Sequence, residues 1–114
     1  MAEHDPTGRS AHEPGAKLDG GKIRAGLVLG GFSRALEQVA AVGTYGAAKY
    51  TDNGWRSVPA GQERYTDALW RHLLEEAQGV ECDPESQLLH AAHTAWNALA
   101  RLELMLQQLE GRHG

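Results

Sequence analysis

The sequence predicts a small all-α protein: a helical bundle of three main helices with an N-terminal arm, completed by oligomerisation. Three observations predict it. Apolar residues recur at i, i+3, i+4 spacing in three separate stretches. Clusters containing Gly and Pro punctuate those stretches. No alternating run of useful length marks a β-strand. At 114 residues the chain is expected to hold a single domain, and a chain of this size buries only about two thirds of its unfolded surface. Three helices give a thin core, so pairing of copies into a dimer or tetramer is the expected remedy.

Residues 1–16 are polar, with Gly, Pro and two histidines, and offer almost nothing to bury. They predict a disordered tail, and 17–114 a single helical domain. Residues 17–31 hold Gly pairs and a short apolar run from Leu27 to Leu29, which predicts an ordered loop or arm. The first helix is expected from Ser33, a suitable N-cap, to about Tyr50. Its Leu36, Val39, Ala40, Gly43, Gly46, Ala47 and Tyr50 fall on one face, and most are small enough for close approach of a neighbour or ligand. Residues 51–61 read as a loop, with Trp55 inside it as a core plug or a pocket wall. The second helix is expected over 62–78, stopped by Gly79 at C′. The third should start at Asp83-Pro84-Glu85, an N-cap, a first-turn proline and an acid at the positive dipole end. It should run to about residue 109, ended by Glu110-Gly111.

Composition narrows the function. A net charge of −4 argues against a general binder of nucleic-acid polymers, which carries a basic face. Cys82 is the one cysteine, so no internal disulfide forms and a cytoplasmic setting is expected. No apolar run approaches the roughly 20 residues of a membrane span, and no secretory signal is recognised.

The chemistry gathers on the second and third helices. Ser86, His90, His93, Asn97 and Arg101 fall on one stripe of the third, with Asp83 at its start. The second supplies Arg71, His72, Glu75 and Glu76. If the two pack antiparallel across the short 79–82 connection, these groups face one another. Imidazole with carboxylate suits a divalent transition metal, and carboxylates alone suit magnesium. The plain alternative is that the histidines cap or hydrogen-bond within a bundle interface. Asp19-Gly-Gly-Lys22 is no phosphate-binding P-loop, although Lys22, Arg24, Lys49, Arg56 and Arg71 offer cations for a triphosphate. Nothing marks Cys82 as a nucleophile.

Several segments carry a family resemblance: Lys17-Leu-Asp-Gly-Gly-Lys22, Ala35 to Val42, Tyr45-Gly-Ala-Ala-Lys-Tyr50, Asn53 with Trp55-Arg56, Leu69 to Leu74, Gly79 to Ser86, His90-Ala-Ala-His93 and Asn97. In order and with few gaps over about 17–100, the chain resembles the phage dATP/dGTP diphosphohydrolase-like family, grouped with MazG-like all-α nucleotide pyrophosphohydrolases. The resemblance implies an oligomeric helical enzyme, in the host cytoplasm if phage-encoded, that removes pyrophosphate from purine deoxynucleoside triphosphates with a divalent metal (magnesium, manganese or cobalt). Glu75-Glu76 supplies only the first pair of the MazG carboxylate run, so greater weight falls on other groups. His72, Asp83, Glu85 and His90 become the candidate metal ligands, and His72 and His93 the candidate catalytic groups. Lys22, Lys49, Trp55, Arg71 and Asn97 become the candidate substrate contacts. Two other readings are a non-catalytic nucleotide or nucleotide-signal binder of phage origin and a purely structural helical assembly protein.

Overall fold

The computed structural model describes residues 3–113, with the side chain of residue 113 left out. The described residues are helical, with one isolated bridge between Cys82 and Leu89 and no strand. The chain divides into two compact units, Met1–Ser33 and Arg34–Gly114.

In the first unit, turns replace regular structure up to residue 24. Asp5 Oδ1 accepts from the N–H and hydroxyl of Thr7, both at 2.9 Å, the local bonding that makes Asp a turn former. The Gly20 N–H donates to the His4 carbonyl at 2.7 Å, and Lys22 pairs with Glu3 at 3.0 Å. The expected loop at 17–31 contains a short helix, α1 (Ala25–Gly30), formed by its apolar run.

The second unit is built on three helices. Helix α2 (Ser33–Lys49) matches the expected first helix within a residue. A 3-10 turn, Gly54–Ser57, carries Trp55 through the following loop. Helix α3 (Gly61–Ala77) stops where the sequence says it should. Gly79 has φ 89°, and the N–H groups of Gly79 and Val80 donate to the carbonyls of Glu76 and Glu75, both at 3.0 Å. That pattern satisfies the carbonyls a helix end leaves open.

Helix α4 (His90–His113) corrects the expected third helix at both ends. The capping signal at Asp83 is real, since its Oδ2 accepts the Ser86 N–H at 2.8 Å. The turn it nucleates ends at once, because Gln87 takes φ 62°, where an α-helix cannot continue. Ser86 Oγ accepts the Leu88 N–H at 3.2 Å. Asp83 N–H donates to Leu88 O at 2.8 Å and His90 N–H to Glu81 O at 2.9 Å. These bonds fold 81–90 into a tight loop. At the other end the helix runs through Gly111, a residue that ends helices when it turns left-handed and otherwise costs about 1 kcal/mol.

Helices α3 and α4 run antiparallel. Gln62 bonds Gln108 at 2.8 Å, Thr66 accepts from Arg101 at 2.8 Å, and His72 meets His90 at 2.8 Å, so the register advances along one helix as it retreats along the other. Helix α2 approaches α4 where Gly43 admits the Trp96 ring; a Cβ there would stand 3.1 Å from the indole nitrogen. Trp55 and Tyr65 pack edge-on against Trp96, with centroids 5.8 and 5.6 Å away. The buried residues include Val42, Ala92 and Ala100, but also His90, His93 and Asn97. A core this small and this polar is unusual, because burying a polar group is unfavourable unless it finds a partner. No helix among the described residues is long and apolar enough to cross a membrane.

The N-cap of α3 is Ala60, held at φ 53° without a side-chain cap bond. Left-handed backbone costs a residue with a Cβ about 1 kcal/mol, and glycine is the better N-cap. Ala60→Gly is therefore expected to stabilise the fold by about 0.5 to 1 kcal/mol, read as a higher urea midpoint at unchanged slope.

Candidate functional site

A cleft of about 1130 Å³ lies between α2, the 3-10 turn and the α3/α4 pair. Lys49, Trp55, Arg71, His72, Asp83, Glu85, His93 and Asn97, eight of the residues singled out from sequence, line it. His90 is buried against His72, at 2% exposure. Lys22 belongs to the first unit, on its pair with Glu3.

Three imidazoles converge here: His72 and His93 line the cleft, and His90 is buried beside them. The Nδ1 atoms of His72 and His90 stand 2.8 Å apart, so they either share a proton or turn two lone pairs toward one point. The His72 and His93 rings stack, 4.5 Å between centroids and 11° from parallel. Asp83 completes a compact donor set: one atom each from His72, Asp83 and His90 lie within 4.8 Å of one another. The tight loop at 81–90 makes this possible by folding the Asp83 carboxylate back beside the start of α4.

Two residues that carried little weight in sequence support the set. Glu75 Oε2 stands 3.6 Å from His90 Nε2, a nitrogen that is buried and makes no hydrogen bond. A carboxylate behind the far nitrogen is the arrangement that orients a metal-ligating histidine. Ser86 Oγ lies 2.7 Å from His93 Nε2, and Asp83 Oδ2 is 4.0 Å from the same nitrogen. The i, i+3 step from His72 to Glu75 was the available signal for the first. Ser86 shared a stripe with His93 by spacing, but it reaches that ring from the loop that the left-handed Gln87 shapes, not from a helix.

Other expected residues take other partners. Glu85 stays outside the compact set: Lys49 holds it at 2.7 Å, and Tyr45 also hydrogen-bonds it. Lys49 is thereby partly neutralised, whereas Arg71 lines the cleft with no ion-pair partner among the described residues. Trp55 is both plug and wall. Its face carries Arg56, 4.8 Å from the ring centroid, and it lines the cleft while packing on Trp96. Asn97 donates from Nδ2 to the His93 carbonyl at 2.8 Å.

The electrostatics favour neutral imidazoles. Burial, reinforced by the neighbouring His93 and His90, pushes His72 down to about 4. Burial likewise lowers His93, against the pull of Asp83. Burial would raise the Asp83 carboxyl, but the bonds from Ser86 and the nearby His93 hold it below its usual value. Glu85 is held low by Lys49 and Tyr45. At neutral pH His72 and His93 are thus neutral beside the Asp83 carboxylate, the protonation states that metal ligation requires.

The fold and site define an all-helical protein with a histidine–carboxylate cleft. A family model described as dATP/dGTP diphosphohydrolase, N-terminal, matches residues 12–112, and the chain belongs to that family. It is 38% identical over 81 residues, 71% of its length, to the dATP/dGTP diphosphohydrolase of Salmonella phage PMBT28. The match spans about a quarter, 26%, of that relative's own length. No solved structure matches the chain.

A pH dependence follows from His72. Its folded pKa lies below its value of 6.5 in the unfolded chain, so between those values the unfolded chain binds a proton that the folded one refuses. In protein stripped of divalent ions, the melting temperature should hold above pH 6.5 and fall as pH drops toward about 4. Calorimetric melts across this range check it, and His72→Gln should flatten the slope.

Proposed function

We propose that this chain carries the hydrolytic site of a metal-dependent nucleotide pyrophosphohydrolase, converting purine deoxynucleoside triphosphates to monophosphate and pyrophosphate. The observation that carries the reading is the convergence of His72, His90 and Asp83 beside a cleft, in a chain whose family and phage relative bear the dATP/dGTP diphosphohydrolase name.

The donor set fits a divalent ion. Two imidazole nitrogens 2.8 Å apart, with the Asp83 carboxylate in the same compact set, are the donors a divalent ion would take there. Two imidazoles with one carboxylate favour manganese or cobalt over magnesium, which prefers oxygen. His72, His90 and Asp83 would hold the ion, with Glu75 steadying His90. When bound, it neutralises phosphate charge and lowers the pKa of an attacking water.

The remaining residues position and move protons. Arg71, exposed and unpaired, holds phosphate oxygens, assisted by Lys49 when Glu85 yields it. A water attacks the α-phosphorus as the bond to the bridging oxygen of the β-phosphate breaks, and pyrophosphate leaves with that electron pair. His93, which lines the cleft, takes the water's proton, and Ser86 Oγ, 2.7 Å from its Nε2, orients the ring. His93 can accept it because burial keeps the ring neutral. Oxygen from water ends on the monophosphate.

Assembly belongs to the same reading. Leu99, Leu102, Leu106 and Leu109 of α4 are each 42–49% exposed at 3, 4, 3 spacing, a seam that fits another helix. We take the working form to be a homo-oligomer, with a second copy covering this seam. Leu102→Glu with Leu106→Glu should shift the sedimentation mass to that of a single chain.

Incubation with dATP or dGTP and manganese, cobalt or magnesium should yield the monophosphate and pyrophosphate, followed by ion-exchange chromatography. Chelation should abolish turnover and manganese restore it. His72→Ala and Asp83→Asn should each lower kcat by about 100-fold or more. Absence of monophosphate under all three metals would overturn the reading.

A further inference from the structure

One end of the cleft is left unused by the hydrolytic groups. Gly46 sits inside α2, where glycine is the least favourable residue after proline. Its neighbour Gly43 has a structural reason, the Trp96 ring against it. Gly46 has none: nothing lies within 4 Å of where its Cβ would be, and its φ is not positive. It lines the cleft.

Tyr50, one turn further on, also lines the cleft and is 73% exposed. Its N–H still bonds the Gly46 carbonyl at 2.9 Å. Tyr50 directly follows the last residue of α2, and Lys49 Nζ stands 5.3 Å from its ring centroid, a cation beside the aromatic face. On the α4 wall stands Asn97, 5% exposed. Its Nδ2 is tied to the His93 carbonyl, which fixes the amide and leaves Oδ1 an acceptor with no partner among the described residues. Asn97 lines the cleft, so this acceptor is available to a donor bound there.

We infer that this end is a nucleobase subsite: the base lies along the bare turn of α2 at Gly46, against the Tyr50 ring, and donates a hydrogen bond to Asn97 Oδ1. The inference rests on the hydrolase reading above and deepens it by placing the part of the substrate that distinguishes one nucleotide from another. A fixed acceptor pairs with the N6 amino group of adenine or, with the base turned in the subsite, with the N2 amino group of guanine. Cytosine also carries an amino group, so the preference for purines rests on the aromatic face. An aromatic platform rewards the larger face of a purine over that of a pyrimidine.

The test is calorimetric titration of the full chain, with manganese, against dATP, dGTP, dCTP and inorganic tripolyphosphate. Gly46→Leu is expected to weaken dATP and dGTP by roughly tenfold or more, the effect of filling a pocket that a substrate needs. It should leave tripolyphosphate binding as in the wild type, and wild-type dCTP binding should be weaker than that of either purine. Gly46→Ala, which meets no atom and improves helix propensity, should melt no lower than the wild type and still weaken the purines. Unchanged purine affinity in Gly46→Leu overturns the subsite, and so does an equal loss for tripolyphosphate. Wild-type protein that binds neither nucleotide nor tripolyphosphate overturns the hydrolase reading as well, whereas nucleotide binding indifferent to Gly46 overturns the subsite alone.

Discussion

The second unit is organised around a polar stripe that must be buried. His90, His93 and Asn97 face α3 along α4, where a bundle of this size would ordinarily place leucines. Each removes a polar group from water, which is tolerable only with partners in the right place. His72 from α3 meets His90 and stacks on His93. Ser86 caps His93, and Asn97 bonds back to its own helix. The antiparallel register of α3 against α4 is thus the one that satisfies these groups. That leaves a buried ring nitrogen of His90 unsatisfied by 3.6 Å from Glu75.

An interior of this kind is not the one that stability alone would select. Apolar side chains at the same positions would pack without any need for partners, and replacing buried polar clusters by apolar groups is often neutral or stabilising. Neutral imidazoles held beside a carboxylate make sense as ligands or proton acceptors. The strained left-handed Gln87 points the same way. It ends the turn that Asp83 begins, and so delivers Asp83 and Ser86 to the histidines instead of extending α4 by two turns.

Two kinds of residue line the cleft. Imidazoles, a carboxylate and Arg71 are polar groups of the sort that meet phosphate, while Trp55, Tyr50 and the backbone of α2 offer flat and bare surface. Two glycines one turn apart in α2 differ in what they face: Gly43 meets the Trp96 ring, and Gly46 has open space where a Cβ would be.

By itself the sequence determined α2, α3 and the stop of α3. The small-residue face of α2 and the Gly79 stop of α3 come from local rules, helical spacing and C-cap geometry, that act over a few residues. The stripe of His90, His93 and Asn97 is equally local, because residues three, four and seven apart share a face of any helix. The structure alone decided where α4 begins, since Gln87's left-handed turn is imposed by bonds from Glu81 and Asp83 across the loop. It also decided that Glu85 goes to Lys49 and that Glu75 and Ser86 join the histidines. Those choices turn on distances between separate segments, and spacing along a chain carries no information about which of several equally suited carboxylates a fold brings within reach.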